Sequence, residues 1–82
     1  MAAPVAEITA IVRSILRDPN LNLSPATRFD DLDNWDPMDL ITVVVEAECR
    51  YDLQFDMPEI DRLVTVGDLL RMIALKRALV AA

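Results

Sequence analysis

The chain has 82 residues, 54% of them hydrophobic, with 14 acidic residues against 8 basic ones, a net charge of −6 and no histidine. That length makes one domain with a core just large enough to hold it, and the charge speaks against nucleic acid, which needs a basic patch. A single cysteine, Cys49, excludes an internal disulfide framework, and with no histidine it makes a structural zinc site untenable.

No apolar run reaches the roughly 18 residues of a membrane span, and the N-terminus lacks a basic stretch ahead of its apolar residues, unlike a secretory signal. The expectation is a cytoplasmic, monomeric protein whose partners carry a basic surface. The first helix is expected from about Pro4 to Arg17. Val5, Ile8, Val12, Ile15 and Leu16 recur at helical spacing, Ile11 widens the stripe, Pro4 suits a first helical position and Pro19 marks the end. Residues 20 to 35 are rich in Asn, Pro, Asp and Thr, yet carry Leu21, Leu23, Phe29, Leu32 and Trp35. A solvated linker has no use for five large apolar groups, so a loop packed onto the helices is expected, with a short helical turn near Phe29 to Leu32. An ordered loop of this length in a small domain is more often functional than not.

The second helix has the clearest opening. Asp36 is an N-cap residue, Pro37 fits the first helical position, and Asp39 lies in the first turn near the positive end of the dipole. Running to about Tyr51, this helix places Asp39, Thr42, Glu46 and Arg50 on one polar face. The β-branched run before Glu46 also fits a strand; the capping signals and the 3.6-residue polar spacing favour helix. A short third helix follows over Met57 to Leu63. The last opens at Thr65, with Asp68 completing a short capping box. Its apolar side is read as Val66, Leu69, Leu70, Ile73 and Leu75 or Leu79, with Lys76 and Arg77 in the last turns, where they suit the dipole. The fold class is therefore all-α, a small four-helix bundle of three main helices and one short one with a long first loop, in one domain over residues 1 to 82.

Residues Leu32 to Ile73 are similar to the acyl/peptidyl carrier protein family, nearest to free-standing carriers whose motif reads Trp-Asp-Ser-Leu. Trp35, Asp36 and Met38 match around that motif. Glu59, Ile60, Leu63 and the run Thr65 to Leu69 match the family's third helix and the start of its fourth, and Ser24 to Leu32 resembles the loop into the motif. The resemblance implies that the residue opening the second helix is a serine esterified by 4′-phosphopantetheine, whose thiol carries an acyl or aminoacyl group. Here that residue is Pro37, which has neither hydroxyl nor N–H. No cofactor is expected, because neither Ser14, Ser24 nor Thr42 has the aspartate-before, helix-after setting.

Two functional readings follow from the resemblance. One is a carrier-like protein that cannot be phosphopantetheinylated at the usual site and acts as an interaction or accessory module for acyl- or aminoacyl-handling biosynthetic enzymes. The other is a genuine carrier of fatty-acid, polyketide or nonribosomal-peptide type whose serine has been replaced. Candidate partner-binding residues are Trp35, Met38, Asp39, Thr42 and Glu46. Each has a plainer role open to it: Trp35 pinning the loop to the core, the acidic residues forming a solvated face, Asp36 serving only as a cap. Leu40, Val43 and Val44 either line an acyl cavity or fill ordinary core. Thr42, Cys49 and Arg50 stand where fatty-acid carriers are often acidic, which argues against their usual enzymes. The Asp30–Asp31–Asp33 cluster lacks EF-hand spacing and reads as a solvated acidic loop. Without a histidine or an activated nucleophile, no enzyme is expected, and no metal site.

Overall fold

The computed structural model describes residues 5–81, with side chains to Leu79, and contains α1 (Val5–Leu16), α2 (Pro37–Tyr51), α3 (Met57–Asp61) and α4 (Val66–Ala81). A single 3-10 turn, Phe29–Asp31, lies in the long loop where the sequence placed one. No strand occurs among the described residues; Arg28 and Thr65 make one isolated antiparallel bridge.

Each helix boundary has a local cause. α1 ends because Arg17 turns into the left-handed region at φ 55° and Asp18 N–H closes back on Arg13 C=O at 3.1 Å. That is a Schellman-type stop, and it acts two residues before Pro19. Pro4, expected as the first helical residue, lies outside the described residues. α2 ends in the same manner: Asp52 takes φ 55° and Leu53 N–H reaches Glu48 C=O at 3.1 Å. α3 is shorter than the pattern suggested and stops at Asp61, although Leu63 N–H still bonds Ile60 C=O at 3.0 Å. α4 opens with the expected reciprocal cap: Asp68 N–H donates to Thr65 Oγ1 at 3.1 Å, while Asp68 Oδ2 accepts from the N–H groups of Thr65 and Val64, each at 3.0 Å.

Ile8, Val12, Phe29, Val43, Val44, Ala47, Val66, Leu69 and Ile73 form the innermost core, each almost without exposure. Burying each of these side chains larger than Ala47 is worth roughly 1.5–3 kcal/mol. α1 packs chiefly on α2, and α4 closes over both. Val43 and Val44 are therefore core residues. Leu40 is half-buried and faces a groove towards α3.

Two expectations about α4 are corrected. Leu75 and Leu79 are 57% and 69% exposed, so neither continues the core stripe. Lys76 and Arg77 are not in the last turn either, because the helix runs on to Ala81. Instead they lie along the packed side: Lys76 Nζ pairs with Glu59 at 2.9 Å and sits 5.1 Å from the Phe55 ring centre, and Arg77 lies 5.2 Å from that of Tyr51. Long cationic side chains can cover apolar surface while keeping their heads wet.

The long loop is ordered by backbone pairing with the start of α4. Phe29 N–H donates to Val64 C=O at 3.1 Å, Val66 N–H to Thr27 C=O at 2.9 Å, and Gly67 N–H to Pro25 C=O at 2.8 Å. These bonds fix Phe29, and through it the start of α2, because the Phe29 and Trp35 rings stack 5.3 Å apart at 17°. That is the geometry of an offset aromatic pair.

Candidate functional site

The site is built around the first turn of α2. Asp36 is extended (φ −112°, ψ 142°), Pro37 is the first helical residue, and the backbone polar groups of the turn are satisfied from within. Met38 N–H donates to Asp36 Oδ1 at 2.8 Å, Asp36 N–H donates to Asp39 Oδ2 at 2.9 Å, and Asp39 N–H donates to Asp36 C=O at 2.8 Å. Pro37 brings no N–H. The anion-binding capacity that a helix N-terminus ordinarily offers is taken up by two of the protein's own carboxylates. Asp30, Asp31 and Asp33 add further negative charge to the approach, where Arg28 is the one cation between residues 18 and 49.

Beside this turn runs a groove of about 370 Å³ between the loop, α2 and α3. Phe29, Trp35, Leu40, Ile60 and Leu63 make its apolar floor and walls, Pro37 sits at one edge, and Arg28, Asp30 and Asp61 contribute charge. Met57, 58% exposed, and Val64 stand on the rim.

The five candidate partner-binding residues divide between two surfaces. Trp35 is half-buried and belongs to the groove, stacked on Phe29. Met38, Thr42 and Glu46 are exposed along α2, spaced by four residues and so on one side of the helix. Met38 is 63% exposed, the largest apolar projection near the turn. Asp39 is half-buried and its carboxylate is committed to the cap. Met57 and Val64 were missed by sequence reasoning. Met57 precedes Pro58 in an unremarkable capping context, and only the fold brings it beside Pro37.

The chain has seven side-chain hydroxyls. Thr9 donates to Val5 C=O at 2.8 Å, and Thr42 to Met38 C=O at 3.1 Å. Ser24 and Thr27 meet each other at 3.3 Å, Thr65 caps α4, and Tyr51 donates to Glu7 Oε2. Ser14 is exposed on α1. None opens a helix in the manner of Pro37.

Among the described residues, three groups titrate away from their ordinary values, all outside this site. Burial, then the hydrogen bond to Glu7, pushes Tyr51 up to about 12. Glu59 is lowered by the Asp56 N–H and then by Lys76, and Asp68 by the N–H groups of Thr65 and Val64. These are structural caps and ties, and the described residues hold no cluster of His, Cys, Asp or Glu suited to a metal ion.

A family model described as the phosphopantetheine attachment site matches residues 6–73. The fold is also similar to the solution NMR structure of a holo acyl carrier protein from Geobacter metallireducens, with a TM-score of 0.82 and 28% identity over 94% of this chain and 88% of that one. No helix among the described residues is long and apolar enough to cross a membrane. The four-helix architecture, the long loop pinned to α4 and the matched span together place the chain in the phosphopantetheine-binding, acyl carrier protein family.

Proposed function

We propose that this member of the family keeps the docking shape of a carrier and does not bear the phosphopantetheine arm at the start of α2. The observation that carries the reading is the Asp36–Pro37 opening. The residue in the attachment position has no hydroxyl to esterify, and the N–H groups of the turn are already bonded to Asp36 and Asp39. The nearest hydroxyl on the same helix, Thr42, is more than a turn away and donates to Met38 C=O. The residues present do not fit the arm, and no step of an acyl-transfer cycle is assigned to this chain.

On this reading the protein acts by binding and not by catalysis. Met38, Thr42 and Glu46 on α2, with Trp35 in the groove and Asp39 holding the turn, present an apolar centre with acidic surroundings. A biosynthetic enzyme that handles acyl or aminoacyl groups, with a basic or mixed apolar docking surface, is the partner such a surface suits. Methionine and tryptophan side chains are enriched at protein interfaces, which favours that role, and the −6 charge assists encounter with a basic partner. A monomeric, cytoplasmic protein is the matching setting.

Mass spectrometry after incubation with coenzyme A and a broad-specificity phosphopantetheinyl transferase tests the proposal. The wild-type chain is expected to keep its mass; a gain equal to one arm overturns it. The variant Pro37→Ser separates the two carrier readings. Uptake of the arm by the variant favours a carrier whose serine has been replaced. Refusal means that the surface read by the modifying enzyme has been lost as well.

A further inference from the structure

α4 carries two apolar stripes. Val66, Leu69 and Ile73 are wholly buried, whereas Leu75 and Leu79 are exposed and, with the half-buried Met72 at their base, continue a second stripe at spacings of three and four residues. Its N-terminal half lines a groove of about 240 Å³ against the end of α3, floored by Leu63 and Met72 and flanked by Arg62, Arg71 and the Asp68 that Arg71 contacts. Isolated exposed leucines are ordinary on a protein surface; Leu75 lines this groove, and Leu79 follows it one turn on.

α4 is locally basic in an acidic chain: from residue 62 to 81, Arg62, Arg71, Lys76 and Arg77 accompany one acid, Asp68, which itself lines the groove. Of the acids on α3, Glu59 is paired with Lys76. Lys76 and Arg77 lean away over Phe55 and Tyr51. Arg62 forms no ion pair among the described residues, and Arg71 contacts Asp68 through one nitrogen at 2.5 Å, leaving the rest of its guanidinium facing solvent. The geometry points to a second docking surface: we propose that the α3–α4 groove binds an acidic amphipathic helix of a partner protein. Its apolar side chains would lie on Met72, Leu75 and Leu79 and its carboxylates on Arg62 and Arg71.

A second copy of the chain fits less well. Pairing α4 with α4 would bring both sets of arginines together, with Asp68 already bonded to Arg71, Thr65 and Val64 and Glu59 already paired with Lys76. An anionic bilayer would attract the same cations while repelling the acidic remainder of the protein. The site lies apart from the start of α2, so the inference does not depend on whether Pro37 is modified.

The test is a titration of isotope-labelled protein, followed by amide chemical shifts, with two synthetic helical peptides. They share a leucine face and carry either glutamate or lysine on the polar face. The glutamate peptide is expected to shift Arg62, Leu63 and residues 68–79 and to bind roughly tenfold or more tightly than the lysine peptide, with affinity falling as salt rises. Leu75→Asp, at an exposed position, is expected to abolish those shifts with the circular dichroism unchanged. The double reversal Arg62→Glu with Arg71→Glu is expected to invert the preference between peptides. Equal binding of both peptides, or shifts confined to other helices, would overturn the proposal. So would binding that survives Leu75→Asp, concentration-dependent shifts on this face without peptide, or tighter binding to anionic vesicles than to the glutamate peptide.

Discussion

Gly67→Ala sets helix propensity against a single close approach. Gly67 is the second residue of α4, and alanine is favoured over glycine in a helix by about 1 kcal/mol. Propensity alone therefore predicts stabilisation. A β-carbon at this position would sit 2.8 Å from Pro25 C=O oxygen, a backbone atom that cannot rotate away, and 3.4 Å from Pro25 Cβ. The same oxygen accepts the Gly67 N–H at 2.8 Å, so the loop cannot retreat without lengthening that bond. Retreat would also strain the bonds of Val66 to Thr27 and of Phe29 to Val64. Overpacking of this kind costs about 1–3 kcal/mol, and weakening of the loop bonds adds up to about 1 kcal/mol. After subtracting the propensity gain, the net loss is up to about 3 kcal/mol and centres on about 1.5 kcal/mol, roughly 6–12 °C in Tm for a domain of this size. Urea denaturation followed by circular dichroism measures it. The fluorescence of Trp35, the one tryptophan, reports in parallel on the Phe29 stack that the loop positions. A variant as stable as wild type, or more stable, would refute the argument that this contact and not helix propensity decides the sign.

Other expected outcomes follow from the same structure. Pro37→Ser should cost no more than about 1 kcal/mol, mostly through the freer unfolded chain, as measured by denaturant titration; a larger loss would show that the turn depends on the proline ring. Ile73→Ala, at a position with no exposure, should cost about 2–5 kcal/mol, whereas Leu79→Ala should stay within about 0.5 kcal/mol; comparable losses would put the outward stripe of α4 in doubt. Tyr51→Phe removes the bond to Glu7 that ties α2 to α1 and should cost about 1 kcal/mol. The phenol, raised to about 12 in the folded state, favours folding fully below its ordinary value of about 10 and loses that contribution as pH rises from there through about 12. An ultraviolet titration of the sole tyrosine showing an unshifted phenol would contradict this. Asp68 and Glu59, both lowered, contribute in the opposite direction. Their stabilisation is present above the ordinary carboxylate range and is lost as pH falls through their depressed values. Asp68→Asn should therefore flatten the acid limb of the stability profile, and an unchanged limb would argue against the cap.

What the sequence made legible is what is encoded within a few residues. Asp36–Pro37 and Thr65–Asp68 announce helix openings because a cap is a local bargain between a side chain and N–H groups two or three residues on. The 3-10 turn at Phe29 shows for a similar reason, as an apolar residue inside an acidic loop. What stayed hidden depends on distant partners. α4 is apolar around much of its circumference, so periodicity offers Leu75 and Leu79 as readily as Leu69 and Ile73. Only the placement of α1 and α2 decides which stripe is covered. Lys76 reads as a charge for the helix end until Glu59 and Phe55 arrive beside it. The groove beside Pro37 draws on the loop, α2 and α3 at once, and neither Met57 nor Val64 carries a mark in the sequence of what it will adjoin.

The first turn of α2 shows why carrier shape and carrier chemistry can part at one residue. Proline is well tolerated as the first helical residue because its φ is already helical and its missing N–H has no partner to lose. Asp36 and Asp39 then close the remaining N–H groups of the turn. Nothing in the packing asks for a hydroxyl here: residue 37 is exposed, and the core of α2 begins at Val43 and Val44. A serine would leave the fold almost unchanged, so the choice between the two residues is weakly constrained by stability. Chemistry weighs far more, since without a hydroxyl at this position there is nothing to esterify. The stability of Pro37→Ser and its ability to take up the arm are therefore independent measurements. A near-neutral stability change together with full modification would mean that one side chain separates this protein from a working carrier.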